Sequence, residues 1–214
     1  MKKIILLLTI TTFTSASFAQ MDFNYGVKAG TNISTLTAGP TDGTISVSTA
    51  YKAGLYAGAF AEMGIGKSMN ISAELAFSQM GGKADILAAG TKVGTQTSNL
   101  NYIPLSVFFN YGIPNVKGLS VFAGPQISFL ASLKATTTTT IAGMTTTEIS
   151  TNKEDTKSTD FAALAGVQYK LSSIPIMFSA RYQYGFSTIS KVDGDKVVNS
   201  GVTVTVGYAF GGKK

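Results

Sequence analysis

The stretch MFSARYQYGF, residues 177–186, alternates large apolar or aromatic side chains with small or polar ones. Successive residues of a β-strand point to opposite faces of the sheet. As a strand, this stretch places Tyr182 and Tyr184 on one face and Arg181 on the other. It therefore requires apolar surroundings on one side of the sheet and, on the other side, an environment that accepts a guanidinium.

The same period of two continues through most of the chain, with turn residues between the patterned segments. In SMNISAELAFSQM, for example, Ile71 and Leu75 share one face, whereas Ser72 and Glu74 share the other. The pattern predicts an all-β fold with strands at about 22–36, 50–63, 68–80, 98–111, 119–134, 159–171, 176–187 and 197–210.

Two kinds of barrel share this alternation. A soluble lipocalin-like barrel turns its apolar face inward, whereas a membrane barrel turns it toward lipid. The polar face here is mostly Gly, Ser, Ala, Thr and Asn, whereas a face in water would be rich in Lys and Glu. Closure into a ring also pairs every edge strand, as lipid requires. The sequence therefore predicts an eight-stranded antiparallel up-and-down transmembrane β-barrel.

Aromatic residues of suitable parity near the strand ends, with Tyr102 among the candidates, are expected to form girdles at the membrane interfaces.

The connections between the predicted strands alternate in length. GIGK, GIPNVKG and SSIP are short turns, whereas the other connections span 37–49, 81–97, 135–158 and 188–196. Short turns at one end and long loops at the other are typical of outer-membrane barrels. Because the segment 135–158 is rich in Thr, which favours extended backbone, we expect its hairpin to project past the membrane. A ten-stranded barrel stays an open alternative.

The first nineteen residues have the features of a signal peptide. Two lysines precede a short apolar run, and small residues end the segment at Ala19. The apolar run is too short to cross a hydrocarbon core of ~30 Å. We expect cleavage between Ala19 and Gln20, which removes residues 1–19 and leaves an outer-membrane barrel domain over 20–214. Export together with the predicted barrel indicates the outer membrane of a Gram-negative bacterium.

The composition excludes several kinds of functional site. The chain has no Cys and no His, so it lacks thiolate ligands, the commonest metal ligand and the usual general base near neutral pH. No Asp/Glu cluster has calcium-loop spacing, and no glycine motif for phosphate opens a helix. The net charge of +6 comes from scattered Lys and Arg, whereas nucleic-acid binding requires a patch. We expect no enzyme activity, no cofactor or metal site and no nucleic-acid partner.

The charged side chains inside the predicted strands all fall on the small, polar face. An unpaired buried charge is costly, so we expect a central Glu74–Arg181 pair, with Lys28 adjoining, that plugs the lumen. Independent, water-solvated side chains are the alternative. The eight residues are Lys28, Glu74 and Arg181 near mid-height, Glu62 and Lys170 near the periplasmic end, Lys52 and Asp160 near the outer end, and Lys134.

Several segments resemble the PorT-like outer-membrane β-barrel family of Bacteroidota, often labelled porin-family proteins. They are YGVKAGTNIS, YKAGLYAGAFAEM, SAELAFSQMGGK, NYIPLSVFF, VFAGPQISF, ARYQYGFSTIS and VTVGYAF, which together cover nearly all of the chain after the signal segment. The chain departs from the family at Met80 and Phe108, where the family often has Lys. The resemblance implies contact with outer-membrane lipid and assembly by the barrel insertase, with the aromatic last strand as the assembly signal.

These observations favour a small structural or surface-interaction barrel with a plugged polar lumen. Its outer loops would meet a surface partner that the sequence does not identify, and the segment 135–158 is the best candidate contact. A narrow porin passing small solutes is the first alternative, and a soluble periplasmic lipocalin-like carrier is the second.

Overall fold

The computed structural model describes residues 23–38, 45–88, 91–141, 144–192 and 196–210. The expected signal segment and the Ala19–Gln20 cleavage position lie outside these ranges. Within them there are no helices, and so none that could cross a membrane. The chain forms ten strands: β1 Phe23–Ala38, β2 Ile45–Ala50, β3 Lys52–Gly64, β4 Met69–Ala88, β5 Thr91–Gly112, β6 Leu119–Ile141, β7 Met144–Ser150, β8 Thr159–Lys170, β9 Ile176–Gly185 and β10 Val197–Ala209.

Eight of these strands close into a ring. Their order around the ring is β1, β3, β4, β5, β6, β8, β9 and β10, and every neighbouring pair is antiparallel. Pairing of β1 with β10, from Gly26↔Ala209 to Ala38↔Val197, completes the closure. Closure leaves no unpaired edge within the ring, which is what lipid requires of a spanning sheet. The predicted eight-stranded antiparallel barrel is confirmed.

The remaining strands, β2 and β7, lie outside the ring and resolve the question of eight or ten strands. β2 pairs with the end of β4, and β7 pairs with the end of β6. Pairing of β3 with β4 ends at Tyr56↔Ser78, and pairing of β6 with β8 ends at Phe129↔Thr159. The long strands β4, β5 and β6 therefore continue beyond the ring. We call this extension, with β2 and β7 at its two edges, the outer sheet.

The outer sheet shows that three predicted connections contain strands: 37–49 contains most of β2, and the other two are 81–97 and 135–158. Segment 81–97 is almost entirely strand, since β4 and β5 stay paired as far as Ala88↔Thr91. Segment 135–158 contains the end of β6 and all of β7, and the Thr residues of the two strands face each other across the hairpin. β-Branched Thr favours extended backbone, so the expected hairpin continues the sheet past the ring.

The predicted short turns are at one end of the ring, which we call the short-turn end. They span residues 65–68, 113–118 and 171–175. In the middle turn Asn115 and Gly118 have positive φ angles of 69° and 85°, a backbone conformation that favours Asn and Gly. The four longer connections lie at the opposite end, which we call the long-loop end.

The apolar rows of the strands face outward, as the alternation predicts. Leu75, Phe178 and Val204 are exposed, at 56%, 47% and 47%, in the middle of their strands, whereas the alternate residues are buried. An outer surface this apolar suits lipid and not water. Two predictions about facing were wrong. Tyr102 lies inside the barrel and not in a girdle, and Lys134 is exposed and does not face the lumen.

The Lys134 error has a local cause. The register of β5 against β6 shifts between Asn101 and Tyr102, where Ser132 and then Leu130 are the partners. The extra residue, Ala131, is a β-bulge that reverses the parity of the rest of β6. Beyond it, Leu133 packs inward and Lys134 turns outward.

Candidate functional site in the barrel interior

The centre of the lumen contains a buried carboxylate with two cations. Arg181 on β9 donates from Nη1 to Glu74 Oε1 at 2.6 Å, and Lys28 on β1 donates from Nζ to Oε2 at 2.9 Å. Tyr56 on β3 donates its hydroxyl hydrogen to Glu74 Oε1. All four side chains are buried. One carboxylate on β4 therefore ties together strands from opposite sides of the ring.

Aromatic rings surround the two cations. The Arg181 guanidinium carbon lies 4.7 Å from the ring centroid of Tyr56 and 5.6 Å from that of Phe108, and Lys28 Nζ lies 4.9 Å from that of Phe60. Rings at these distances attract a cation through their negative faces, most strongly where water is excluded. The centre of the lumen is therefore a packed, partly aromatic cluster.

Small inward-facing residues make room for the long ones. A Cβ added to Gly166 on β8 would lie 2.8 Å from Arg181 Cα and Cβ, and one added to Gly207 on β10 would lie 3.0 Å from Lys28 Cγ. Real Cβ atoms essentially never approach as closely as 2.8 Å, and 3.0 Å is tighter than most contacts they make. The glycines of the polar face thus provide the space in which the Arg181 and Lys28 side chains cross the lumen.

Beside this cluster, amides and an apolar group complete the filling. Gln126 on β6 donates through Nε2 to Gln183 Oε1 on β9 at 3.0 Å and accepts from Ser106 Oγ at 3.0 Å. Phe122 contacts Phe108 edge-on, with ring centroids 5.1 Å apart, and Leu164 packs with both rings. Side chains from facing strands therefore meet across the interior, so the ring holds a core and not an open channel.

A second ion pair lies at the short-turn end. Lys170 Nζ on β8 is 2.5 Å from Glu62 Oε2 on β3, and Asn70 donates to Glu62 Oε1 at 2.7 Å. Glu62 is buried, but the Lys170 side chain is one-third exposed. Lys170 also lines an open cavity of about 440 Å³ at this mouth, together with residues of the short turns. This pair is therefore partly hydrated, unlike the central cluster.

The other two charged residues predicted to line the lumen are not paired with each other or with the residues above. Lys52 is half-buried near the long-loop end and donates to its neighbour's carbonyl, Ala53 O, at 3.5 Å. Asp160 is fully buried. It accepts hydrogen bonds from Ser187 Oγ at 3.0 Å and Asn199 Nδ2 at 3.5 Å.

The long-loop end of the lumen has an apolar cap, which the sequence analysis did not anticipate. The connection between β9 and β10 folds inward and buries Ile189 against Met80, Leu100 and Tyr102. Lys157 N donates to Ile189 O at 2.7 Å, which fixes this connection to the one before β8. The interior is therefore filled at two heights, by the central cluster and by this cap.

The aromatic partners of the central cluster were also missed, although a signal for them exists. Tyr56 and Phe60 have the same parity on β3 as Lys52 and Glu62, so they had to face the lumen with them. A large ring on an otherwise small, charged face indicates a contact with a charge. Ile189 offers no such signal, because it lies in a connection where no strand parity applies.

In the part of the chain that the structure describes, no three side chains among His, Cys, Asp and Glu lie close enough together to hold a metal ion. The central carboxylate already has two cations and a hydroxyl as partners. The arrangement holds the strands together and blocks the lumen.

Three solved outer-membrane proteins are similar to this chain in fold. Neisserial surface protein A is 14% identical, with a TM-score of 0.47, over 87% of this chain and 97% of its own. The Yersinia pestis attachment invasion locus protein, Ail, is 14% identical, with a TM-score of 0.48, over 88% and 99%. OprG of Pseudomonas aeruginosa is 13% identical, with a TM-score of 0.42, over 88% and 96%. No curated protein matched the sequence.

The sequence itself matches a protein family. Residues 18–191 match the outer membrane protein β-barrel domain. The match includes the central cluster, the apolar cap and most strands of the ring. Because it spans well over half of the 214 residues, the chain is an outer-membrane protein and belongs to the outer membrane protein β-barrel domain family.

Proposed function

We propose that this protein is a closed barrel that acts at the cell surface through its outer sheet and not through its lumen. The observation that carries the proposal is the contrast between the filled lumen of the ring and the outer sheet beyond it. The lumen is filled at two heights, whereas β4, β5 and β6 continue well past the ring. There β2 and β7 each pair on one side only among the residues that the structure describes. An envelope protein with this shape presents a surface and offers no passage.

The hairpin of β6 and β7 is the most prominent part of that surface. Every residue of β7 is exposed, including Met144 at 77% and Ile149 at 60%. Among the described residues β7 pairs only with β6, and Glu148 is its one charge. Proteins usually protect a free edge with charges or proline, so an edge this bare is suited to contact with a partner.

Complementation tests the proposal. A strain lacking the gene would be given wild-type protein or a variant in which Thr136–Ile149 is replaced by two glycines. In the described part of the chain the replaced residues pair only within the hairpin and with Gly94–Thr97 of β5. These pairings lie beyond the ring, so the shortened protein should still insert and show different migration before and after boiling. We expect it to fail to restore the phenotype of the wild type. Full restoration by the shortened protein would contradict a role for the outer sheet.

Purified protein in planar bilayers is expected to give no steady open-channel steps. The physical reason is that Arg181, Phe108 and Phe122 fill the middle of the lumen and Ile189 closes the long-loop end. An eight-stranded ring leaves room for side chains only. Steady steps in wild-type protein, reproduced in the shortened variant, would instead favour the narrow porin.

Cysteine labelling tests which end faces outward. The chain has no natural Cys, so Thr145→Cys in the hairpin and Lys117→Cys in a short turn each introduce one thiol at an exposed position. An impermeant maleimide should label Thr145→Cys in intact cells, and Lys117→Cys only after the outer membrane is opened. The reverse pattern would place the outer sheet in the periplasm and contradict the surface role.

The finer assignment follows from the sequence features. The PorT-like family of Bacteroidota, export by a signal peptide cleaved between Ala19 and Gln20, and assembly by the barrel insertase through VTVGYAF are part of the proposal. N-terminal sequencing of the mature protein tests the cleavage position. The proposed role needs no cofactor and no catalytic step.

A further inference from the structure

Asp160 is a buried carboxylate without a cation. The other two carboxylates buried in the lumen, Glu74 and Glu62, each have a lysine or arginine within 3 Å. Asp160 is completely buried, and no lysine or arginine pairs with it among the described residues. Its two hydrogen-bond donors are the neutral groups of Ser187 and Asn199. Burying an ionised carboxylate is costly unless a positive partner offsets the loss of water or the group takes up a proton.

Two buried oxygen atoms beside Asp160 also lack partners. Asn199 turns its amide toward Asp160, with Nδ2 3.5 Å from Oδ2, and its Oδ1 accepts no hydrogen bond within the described ranges. The Tyr102 hydroxyl is likewise unpartnered there. Tyr102 pairs with Leu130 of β6, and Asp160 pairs with Ser128, two residues away on the same strand. Asn199 and Tyr102 are fully buried. Buried polar atoms are nearly always satisfied, so these two oxygens point to a bound species.

The surroundings exclude bulk water. Ser128 lies opposite Asp160 in the pairing of β6 with β8, and it is fully buried too. Ile189, Met80 and Leu100 pack as an apolar cluster around Tyr102. A cation held among these oxygens would be shielded from competing water, which strengthens its attraction to a carboxylate.

We propose that Asp160, with Asn199 Oδ1, the Tyr102 hydroxyl and Ser187 Oγ, binds one hard cation beneath the apolar cap. Oxygen ligands of this kind suit Na⁺ or Ca²⁺. With a single carboxylate, the affinity for Ca²⁺ should fall in the range of weak extracellular sites, about 10⁻⁴–10⁻³ M. The bound ion supplies the positive charge that Asp160 otherwise lacks and joins β8, β10 and β5 at the long-loop end.

Terbium luminescence tests the site on purified full-length protein in detergent micelles. Tb³⁺ binds oxygen ligands, and excitation of a nearby tyrosine sensitises its emission. The chain has no Trp, so the sensitised signal reports tyrosine alone. Asp160→Asn should weaken Tb³⁺ binding by at least about ten-fold, the lower end of what partners of a metal site cost. Glu62→Gln, at the opposite end of the lumen, is the matched control and should bind as the wild type does.

A second variant keeps the test decisive if Asp160→Asn fails to fold. Tyr102→Phe retains the carboxylate, and it should reduce emission excited through tyrosine more than emission excited directly at Tb³⁺. Displacement by Ca²⁺ or by Na⁺ then identifies the charge of the natural ion. Equal Tb³⁺ binding by wild type and Asp160→Asn, or sensitised emission unchanged in Tyr102→Phe, would overturn the site and leave water or a proton as the partner of Asp160.

Discussion

Replacing Glu74 by Gln is expected to lower the free energy of unfolding by about 3–5 kcal/mol. In the wild-type protein, Arg181 and Lys28 each lie within 3 Å of the Glu74 carboxylate. The change leaves both cations buried with no counter-charge. The glutamine amide also offers one oxygen acceptor where the carboxylate offered two, so the Arg181, Lys28 and Tyr56 donors can no longer all be satisfied. Urea unfolding in lipid vesicles, followed by the migration of boiled and unboiled samples, measures the loss.

Glu62→Gln is the matched control for this prediction. It removes the same charge from the same kind of ion pair, but Lys170 keeps contact with solvent. An ion pair that water reaches contributes about 0–1 kcal/mol, so the control should unfold at nearly the wild-type urea concentration. Equal losses for Glu74→Gln and Glu62→Gln would mean that the central cluster is as hydrated as the mouth of the barrel.

A double-mutant cycle separates the ion pair from the packing around it. Arg181→Met removes the charge but keeps a long side chain against Tyr56 and Phe108. If Glu74 and Arg181 act as a pair, combining Arg181→Met with Glu74→Gln should cost less than the sum of the single changes, by about 2–3 kcal/mol. A coupling below about 0.5 kcal/mol would show two independently solvated side chains.

The ring could be predicted from the sequence because the features that define its strands and turns lie within short segments of the chain. A period of two reports which face each residue occupies, and turns such as GIPNVKG mark where a strand reverses. Counting residues from those turns was enough to bring Glu74 and Arg181 to similar heights. Since β3, β4, β5 and β6 follow one another in the chain and pair in the same order, their neighbours in the ring needed no long-range information.

Prediction failed where the local pattern changes or ends. A single extra residue, Ala131, reverses the parity of β6 and turns Lys134 outward. The sequence around Ala131 has no feature that identifies the bulge. The inward fold of Ile189 depends on contacts with Met80 and Leu100, which are far away in sequence. Likewise, the sequence does not reveal that Asp160 lacks a positive partner, because this can be recognised only when its neighbours in the folded chain are known.

The second prediction with a large expected effect tests whether the apolar outer face of the ring contacts lipid. Val204→Arg places a charge on the outer face of β10, in the middle of the strand beside inward-facing Thr203, which pairs with Arg181. If lipid covers that face, the variant should lose about 2–4 kcal/mol of stability, because arginine is most costly at the bilayer midplane. A face in water would accept the same change with little loss.

Tyr208→Arg is the matched control, because it lies on the same face of the same strand but near the short-turn end, where Tyr208 contacts Phe210. The cost of arginine falls to about 0–1 kcal/mol near the interface, so the control should lose far less than Val204→Arg. Unfolding in vesicles measures both. Both variants place the same arginine on the same face of one strand, at different depths. Two small and equal losses would mean that no hydrocarbon surrounds the ring, and the apolar rows would then need a covering other than a membrane.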